Sequence, residues 1–233
     1  MQRFAALLER LVLTPQRTVK LRLLTDYFRT VPDPDRGYAL AALTGELDIP
    51  SVKPAMLRAL VAERMDEALF AWSYDYVGDL AETISLVWRT PGEQAGEHDI
   101  LPPPEGRDVP PPLAGEGRRE ASGWGETRGP AAPLRLGDVV ERLQAASRSE
   151  GPRLVEGWLD RLDATGRWAL IKLVAGGLRI GVSARLAKQA LADLGRPPIN
   201  AVEGTWPGLT PPYVALLPWL EGRGPRPAAA ILA

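Results

Sequence analysis

One stretch of the chain, residues 168–191 with the sequence WALIKLVAGGLRIGVSARLAKQAL, has the residue types and spacing to bind a phosphate. Its apolar residues recur at helical spacing up to Ala175, and Gly176 and Gly177 then end this helix, because glycine suits a left-handed C-cap. Ser183 is a good N-cap for the helix that follows. A glycine-flanked turn that leads into a helix N-terminus presents free backbone N–H groups and the positive end of the helix dipole. That combination is suited to a phosphate group.

Basic side chains accompany this turn. Arg179 lies inside it, and Arg185 and Lys188 lie on the following helix. Residues 134–195 contain ten basic and seven acidic side chains, although the net charge of the whole chain is −1. By itself this local excess is weak evidence for a nucleic-acid partner, and an ordinary helical hairpin with a glycine turn is the alternative interpretation. The predicted phosphate-binding residues are Gly177, Leu178, Arg179, Ile180, Gly181, Val182, Ser183, Arg185 and Lys188.

Composition argues against several other chemistries, and no catalytic or metal-binding residue is predicted. The chain has no cysteine, which rules out disulfides and thiolate chemistry and fits a reducing cytoplasm. Its one histidine, His98, lies in a polar Pro/Gly-rich stretch, which argues against a catalytic triad or a histidine metal site. Helix caps and solvated carboxylates explain the spacing of Asp75, Asp79 and Glu82 better than a metal cluster does. With no signal peptide and no apolar run of roughly 18 residues, a cytoplasmic protein without a membrane partner is expected.

Helical periodicity dominates the rest of the chain, and no useful β alternation occurs. The pair Thr14 and Pro15 is expected to begin the second helix, Asp35 to cap the third and Asp79 to cap a later one. The predicted helices span residues 1–13, 15–30, 35–43, 53 or 54 onward, 80–88, 136–146, 152 onward, 168–175, 184–194, 199–202 and 213–220, with a short apolar turn at 66–72. The predicted fold class is therefore all-α, an irregular domain of about ten to twelve helices in two halves around one core.

Residues 91–133 differ from the helical parts in composition. They are dense in Pro, Gly, Glu and Arg and have almost no periodic apolar face, so we expect a long disordered Pro/Gly-rich loop. This loop joins two helical halves, residues 1–90 and 134–221, and residues 222–233 have the composition of a linker. We interpret the loop as an inert insertion, and a Pro-rich protein-binding site is the alternative.

Three segments resemble the helical DNA-binding domain of ATP-dependent DNA ligases. GGLRIGVS, at residues 176–183, is similar to the G-x-L-R-I/L-G element of that family, and GDLAET is similar to a second segment. FAALLERLVLTPQRTVKLRLLTDYF resembles its first helices and includes Lys20 and Arg22, which become additional candidate DNA-binding residues. The resemblance implies that the turn and the following helix hold the backbone of nicked duplex DNA. The hairpin departs from the eukaryotic pattern at Gly177, and it looks more like the bacterial branch.

The same resemblance implies what the chain lacks. An ATP-dependent ligase takes AMP on the lysine of a K-x-D-G motif, and none of Lys20, Lys53, Lys172 and Lys188 lies in such a motif. ATP and Mg²⁺ are therefore implied for the full-length family and not as cofactors of this chain, and residues 222–233 are expected to be a truncated linker to an absent nucleotidyltransferase domain. The expected role is that of a monomeric DNA-binding domain in DNA repair, replication or recombination, with nicked duplex DNA and the missing catalytic domains as partners. The alternative is a helical protein-interaction scaffold without nucleic-acid binding.

We predict that this chain alone neither ligates DNA nor adenylates itself, because it has no K-x-D-G lysine. Incubation with labelled ATP and Mg²⁺, followed by denaturing electrophoresis, checks the prediction. We expect no labelled protein, and a covalent protein–AMP band would contradict the interpretation.

Overall fold

The computed structural model covers the helical parts of the chain. The described residues are 1–64, 66–88, 133–176, 178–195 and 197–228, without the side chain of Glu67. His98 and nearly all of the predicted loop at 91–133 lie outside the described residues. Within the described ranges the chain forms twelve α-helices and no strand, which confirms the all-α fold class.

Most of the helices are short, between two and four turns, and a single 3₁₀ turn follows the eleventh. Their bounds are α1 Gln2–Leu13, α2 Arg17–Thr30, α3 Asp35–Thr44, α4 Pro54–Ala62, α5 Glu67–Val77, α6 Leu80–Val87, α7 Leu136–Ala145, α8 Glu150–Leu159, α9 Ala164–Ala175, α10 Ala184–Ala192, α11 Ile199–Thr205, the 3₁₀ turn Trp206–Gly208 and α12 Leu216–Leu220. Because the last six α-helices follow the predicted loop in sequence, the position of the candidate turn depends on which helices they pack against.

Helices from before and after the predicted loop share one apolar core. α9 packs against α1 and α6, α10 packs against α2 and α3, and α7 packs against α3. Phe4, Leu8 and Leu11 of α1, with Leu170 of α9 and Ala187 of α10, are at most 1% exposed. Burying one such leucine or phenylalanine side chain stabilises the fold by about 1.5–3 kcal/mol. The N-terminal helices therefore fix the positions of α9 and α10, which flank the candidate phosphate-binding turn.

Polar contacts join the same parts of the chain. The hydroxyl group of Ser51 donates a buried hydrogen bond of 2.6 Å to the carbonyl oxygen of Leu143, at the end of α7. The guanidinium group of Arg64 donates to the carboxylates of Glu156 and Asp160 on and just after α8. These contacts hold the segment between α3 and α5 against α7 and α8.

Two predicted helix caps have other roles in the structure. The Thr14 hydroxyl group donates to the carbonyl oxygen of Arg10 in α1, and α2 begins only at Arg17. Asp35 is the first residue of α3 rather than its cap, and its Oδ1 accepts from the backbone N–H of Gly137 at 3.0 Å. Gly137 lies in the first turn of α7, where N–H groups have no partner within the helix. Both predictions were wrong, because these side chains bond to a neighbouring helix instead of to the helix that follows them.

Several helices differ from their predicted bounds for local reasons. α9 begins at Ala164 and not at Trp168, because the side chain of Asp163 accepts from the backbone N–H of Gly166 and caps the helix there. The turn predicted at residues 66–72 is the 11-residue helix α5, capped by an aspartate. α8 begins before Pro152, because the side chains of Ser147 and Glu150 each accept a bond from the backbone N–H of the other. α12 begins later than predicted, because Tyr213 has a φ of 59° and cannot continue a right-handed helix.

The described part of the predicted linker is held against the helices. Arg226 donates to Oγ1 of Thr205 at 3.0 Å, at the end of α11. Just before the linker, Glu221 accepts from the buried guanidinium group of Arg36 at 2.6 Å, so the end of α12 is bonded to α3. Residues 221–228 therefore make specific contacts with the domain.

We predict opposite effects of two alanine substitutions in α8. A Cβ at Gly151 would lie 2.7 Å from the carbonyl oxygen of Ser51, whereas a Cβ at Gly157 would meet nothing within 4 Å. Gly151→Ala should lower the free energy of unfolding by about 1–3 kcal/mol through overpacking. Gly157→Ala should raise it by about 0.5–1 kcal/mol, because alanine is the better helix former. Urea unfolding of both variants checks this, and an equal effect of the two would mean that α8 does not pack on the Ser51 segment.

A second prediction concerns acid stability. Burial alone would raise the pKa of Asp79, but hydrogen bonds from Lys172, at 2.6 Å, and from the N–H groups of Glu82 and Ala81 outweigh it and hold that pKa below its ordinary value. A lowered pKa in the folded state stabilises the protein above about pH 4, the unfolded pKa, and this contribution is lost as the pH falls through the folded pKa.

Asp79→Asn keeps a capping side chain and removes the charge, so it isolates the ion pair. At pH 7 the variant should be less stable than the wild type by about 1 kcal/mol, since the pair is partly exposed. The difference in urea midpoint should shrink as the pH is lowered from 5 towards 3, where the wild-type carboxylate also becomes protonated. A difference that stays constant over this range would show that the Asp79–Lys172 pair does not stabilise the fold.

Candidate nucleic-acid interface

A cleft of about 530 Å³ lies between the start of α2 and the start of α10. Its lining combines basic side chains, backbone of the candidate turn and the first turn of α10. We call it the basic cleft, and its lining residues are Pro15, Arg17, Lys20, Gly181, Val182, Ser183, Arg185 and Leu186. Four of the predicted phosphate-binding residues and Lys20 are thus brought together in one place.

The turn that borders the basic cleft is shaped by glycines and anchored by one apolar side chain. α9 ends at Gly176, which has a φ of 69°, and Gly181 has a φ of 67°. Both values lie in the region that glycine adopts without steric cost. Ile180 is only 3% exposed and packs in the core, so the backbone on either side of it is fixed. Gly177 lies outside the described residues.

Ser183 caps α10 as predicted. Its Oγ accepts from the backbone N–H of Leu186 at 3.2 Å, and its own backbone is extended. The N–H groups of Ala184 and Arg185 have no acceptor among the described residues. Free N–H groups at a helix N-terminus, together with the helix dipole, favour an anion there. Because Ser183 lines the basic cleft, these donors are available to a ligand in it.

Lys20 is the buried cation of the basic cleft. Its side chain comes from α2, is 8% exposed as a residue, and donates from Nζ to the carbonyl oxygens of Ile180 at 3.2 Å and Gly181 at 2.9 Å. No carboxylate among the described residues lies within ion-pair distance of it. A buried charge normally has a partner of opposite sign, because removing a charge from water is costly. The cleft therefore has an uncompensated positive charge at its base.

Three exposed arginines add charge around Lys20. Arg17 lines the basic cleft from the first turn of α2 and was not predicted, although its spacing of three residues from Lys20 puts both on one helix face. Arg185 has a side chain that is 75% exposed and only a 4.0 Å contact with Glu203. Arg179 is exposed in the turn and has no ion pair with any described residue. All three guanidinium groups can move to a ligand without breaking a buried contact.

Other candidate residues lie away from the basic cleft. Arg22 is exposed on α2, and two residues from Lys20 correspond to about 200° around the helix. Lys188 has its Nζ 4.1 Å from the centroid of the Trp206 ring, so it packs on the 3₁₀ turn. Leu178 is half-buried against the core and supports the turn mainly through packing. Val182 is also half-buried against the core, but it lines the basic cleft.

The carboxylates that stand near one another in sequence form no metal site. Asp79 accepts from the N–H groups of Ala81 and Glu82 and pairs with Lys172, so its carboxylate is occupied as the cap of α6 and as an ion-pair partner. Among the described residues no group of three histidine, cysteine or acidic side chains is arranged to hold a metal ion. None of the described helices is long and apolar enough to span a membrane.

The described residues thus form an all-α domain in which a glycine turn, a capped helix N-terminus and a buried lysine border one cleft. A family model described as the DNA ligase N terminus matches residues 1–192, which include the whole turn and α10. The chain therefore belongs to this family, the N-terminal domains of ATP-dependent DNA ligases. A comparison with curated proteins gave no match. Residues 193–228 lie beyond the matched range and supply α11, α12 and the 3₁₀ turn that Lys188 contacts.

Proposed function

We propose that this chain is the DNA-binding domain of a bacterial ATP-dependent DNA ligase and that it holds nicked duplex DNA by its phosphate backbone and minor groove. The observation that carries the proposal is the convergence of Lys20, the backbone of Gly181 and the N-terminus of α10 on one basic cleft. Membership of the ligase N-terminal family indicates the class of ligand, because a DNA ligase must hold the sugar–phosphate backbone of DNA.

The chemistry of the cleft suits backbone recognition rather than base recognition. Backbone N–H groups and guanidinium groups bond to phosphate oxygens, which position a protein on a duplex and carry no sequence information. Arg179 is exposed in the turn before the capped helix and Arg185 is exposed in the first turn of that helix, so neither guanidinium group is buried away from a ligand. We therefore expect binding that is independent of sequence and strongly dependent on salt.

The chemical step belongs to other domains under this proposal. ATP and Mg²⁺ are used by the nucleotidyltransferase part of such an enzyme, and this chain keeps the duplex in register while a nick is sealed. Repair, replication and recombination all produce such nicks in the bacterial cytoplasm. We propose that the chain acts as a monomer, because a single basic cleft suffices to hold one DNA strand.

One observation favours the competing role of a protein-interaction scaffold. Leu69, Trp72 and Tyr76 lie on one face of α5 and are 52%, 73% and 93% exposed. Exposed apolar faces of this kind often mark protein contacts. This face is on a different helix from the basic cleft, so substitutions in the two places separate the two functions.

Arg179→Ala tests the DNA-binding proposal. Binding to a nicked duplex should weaken by about 1–3 kcal/mol, as is usual for the loss of a hydrogen bond to a charged group. A log–log plot of wild-type affinity against salt should be linear, and the variant should flatten its slope by about 0.9, the value for one phosphate contact. Fluorescence anisotropy with two duplexes of unrelated sequence measures both quantities.

Arg58→Ala is the charge-matched control, since Arg58 lies on α4 and its guanidinium group sits 5.2 Å from the Tyr74 ring centroid. It removes the same charge and should leave both affinity and slope close to wild type. If folded Arg179→Ala binds as tightly as wild type at every salt concentration, the turn is a helical hairpin without a role in DNA binding. If Trp72→Ala, and not Arg179→Ala, abolished a partner interaction, the scaffold role would be favoured.

A further inference from the structure

We propose that Lys20 is a positioning residue, which turns the backbone N–H groups of Gly181 and Val182 towards the DNA phosphate instead of contacting the phosphate itself. This inference rests on the proposed DNA-binding role of the turn and goes beyond it. It gives the buried lysine of α2 a role in orienting the turn, which its position in the sequence does not indicate.

The geometry of two consecutive peptide groups is the basis of the inference. The Nζ of Lys20 lies 3.2 Å from the carbonyl oxygen of Ile180 and 2.9 Å from that of Gly181. In a trans peptide the C=O and N–H bonds point in opposite directions. The N–H of Gly181 belongs to the first of these peptide groups and the N–H of Val182 to the second. Both N–H groups are therefore directed away from Lys20.

These two N–H groups are available to a ligand. Neither Gly181 nor Val182 donates its backbone N–H to an acceptor among the described residues. Both residues line the basic cleft, beside the free N–H groups in the first turn of α10. Successive backbone N–H groups in a turn make anion-binding sites. Lys20 thus extends the anion site of the helix N-terminus by two donors.

The positioning role accounts for the presence of a charged lysine at a site with so little exposure. The residue is 8% exposed and is not paired with any described carboxylate, an arrangement that costs stability. An ammonium behind a peptide group polarises it, so that its N–H becomes a better donor to a phosphate oxygen on the other side.

Gly181 provides the space that this arrangement needs. A Cβ at this position would lie 2.6 Å from Nζ of Lys20, and the φ of 67° disfavours any other residue. A side chain at position 181 would therefore displace the Lys20 ammonium from its present position and strain the backbone. Arg17, one turn earlier on α2, has no such contact and remains exposed in the cleft.

Salt dependence separates a positioning role from a direct contact. A side chain that neutralises a phosphate releases a counterion, so its loss flattens the log–log salt slope by about 0.9. A residue that only orients backbone donors changes affinity by nearly the same factor at each salt concentration. We therefore expect Lys20→Met to bind a nicked duplex about tenfold more weakly, equivalent to about 1.4 kcal/mol, on a line parallel to that of the wild type.

Chemical rescue tests the role of the ammonium group even if Lys20→Met folds poorly. The 233-residue chain has no cysteine, so Lys20→Cys creates a single reactive thiol in it. Aminoethylation of the folded or refolded variant restores an ammonium at nearly the length of lysine, whereas carbamidomethylation adds a neutral group of similar size. The aminoethylated protein should recover wild-type affinity and the carbamidomethylated protein should not.

Hydrogen exchange supplies a readout that does not depend on DNA. In the free protein, the amides of residues 180–183 should exchange with altered rates in Lys20→Met, while the amides of α1 and α9 keep their protection. Arg179→Ala serves as the comparison, because it should flatten the salt slope without altering exchange at residues 180–183.

The outcomes distinguish this inference from the proposed function. A salt slope flattened by half a contact or more in Lys20→Met would overturn the positioning role and make Lys20 a phosphate ligand. Unchanged affinity in Lys20→Met, with binding still lost in Arg179→Ala, would overturn the positioning role alone. Absence of DNA binding by the wild-type chain would instead refute the proposed function.

Discussion

The apolar packing of α9 and α10 against helices from the start of the chain is the interaction on which the candidate site depends. Because α9 is buried against α1 and α6, and α10 against α2, the turn between them cannot shift relative to α2. That constraint brings Lys20 within hydrogen-bond distance of a backbone 160 residues away in sequence. The basic cleft is thus a product of the core, and its donors are preorganised before any ligand arrives.

Glycine at position 181 meets two separate demands of this arrangement. Its φ of 67° lets the chain turn from the buried Ile180 to the cap at Ser183, and its missing Cβ leaves room for the Lys20 ammonium. Gly176 meets only the conformational demand, since a Cβ there would meet nothing within 4 Å. A substitution at Gly181 therefore disturbs both the backbone and the buried cation, whereas one at Gly176 changes the backbone alone.

Patterns among neighbouring residues correctly predicted the features that depend only on short-range interactions. The all-α class, the helix break after Ala175 and the cap at Ser183 follow from periodicity and short-range bonding, and the structure confirms them. The roles of Thr14 and Asp35 were mispredicted, because each side chain bonds to a different helix from the one it was expected to cap. The spacing of Arg17 from Lys20 was a signal that the sequence analysis missed, whereas the packing of Lys188 on Trp206 depends on the tertiary structure and has no local signal.

The net charge of −1 is compatible with DNA binding because the charges are distributed unevenly. Many acidic side chains are committed to ion pairs elsewhere, such as Asp79 with Lys172 and Glu221 with Arg36. The described lining of the basic cleft contains three basic residues and no acidic one. The nearby Glu203 approaches Arg185 only to 4.0 Å, and an exposed pair of this kind contributes about 0–1 kcal/mol. A phosphate can therefore replace that contact at little cost, so the field inside the cleft, and not the total charge, determines what binds there.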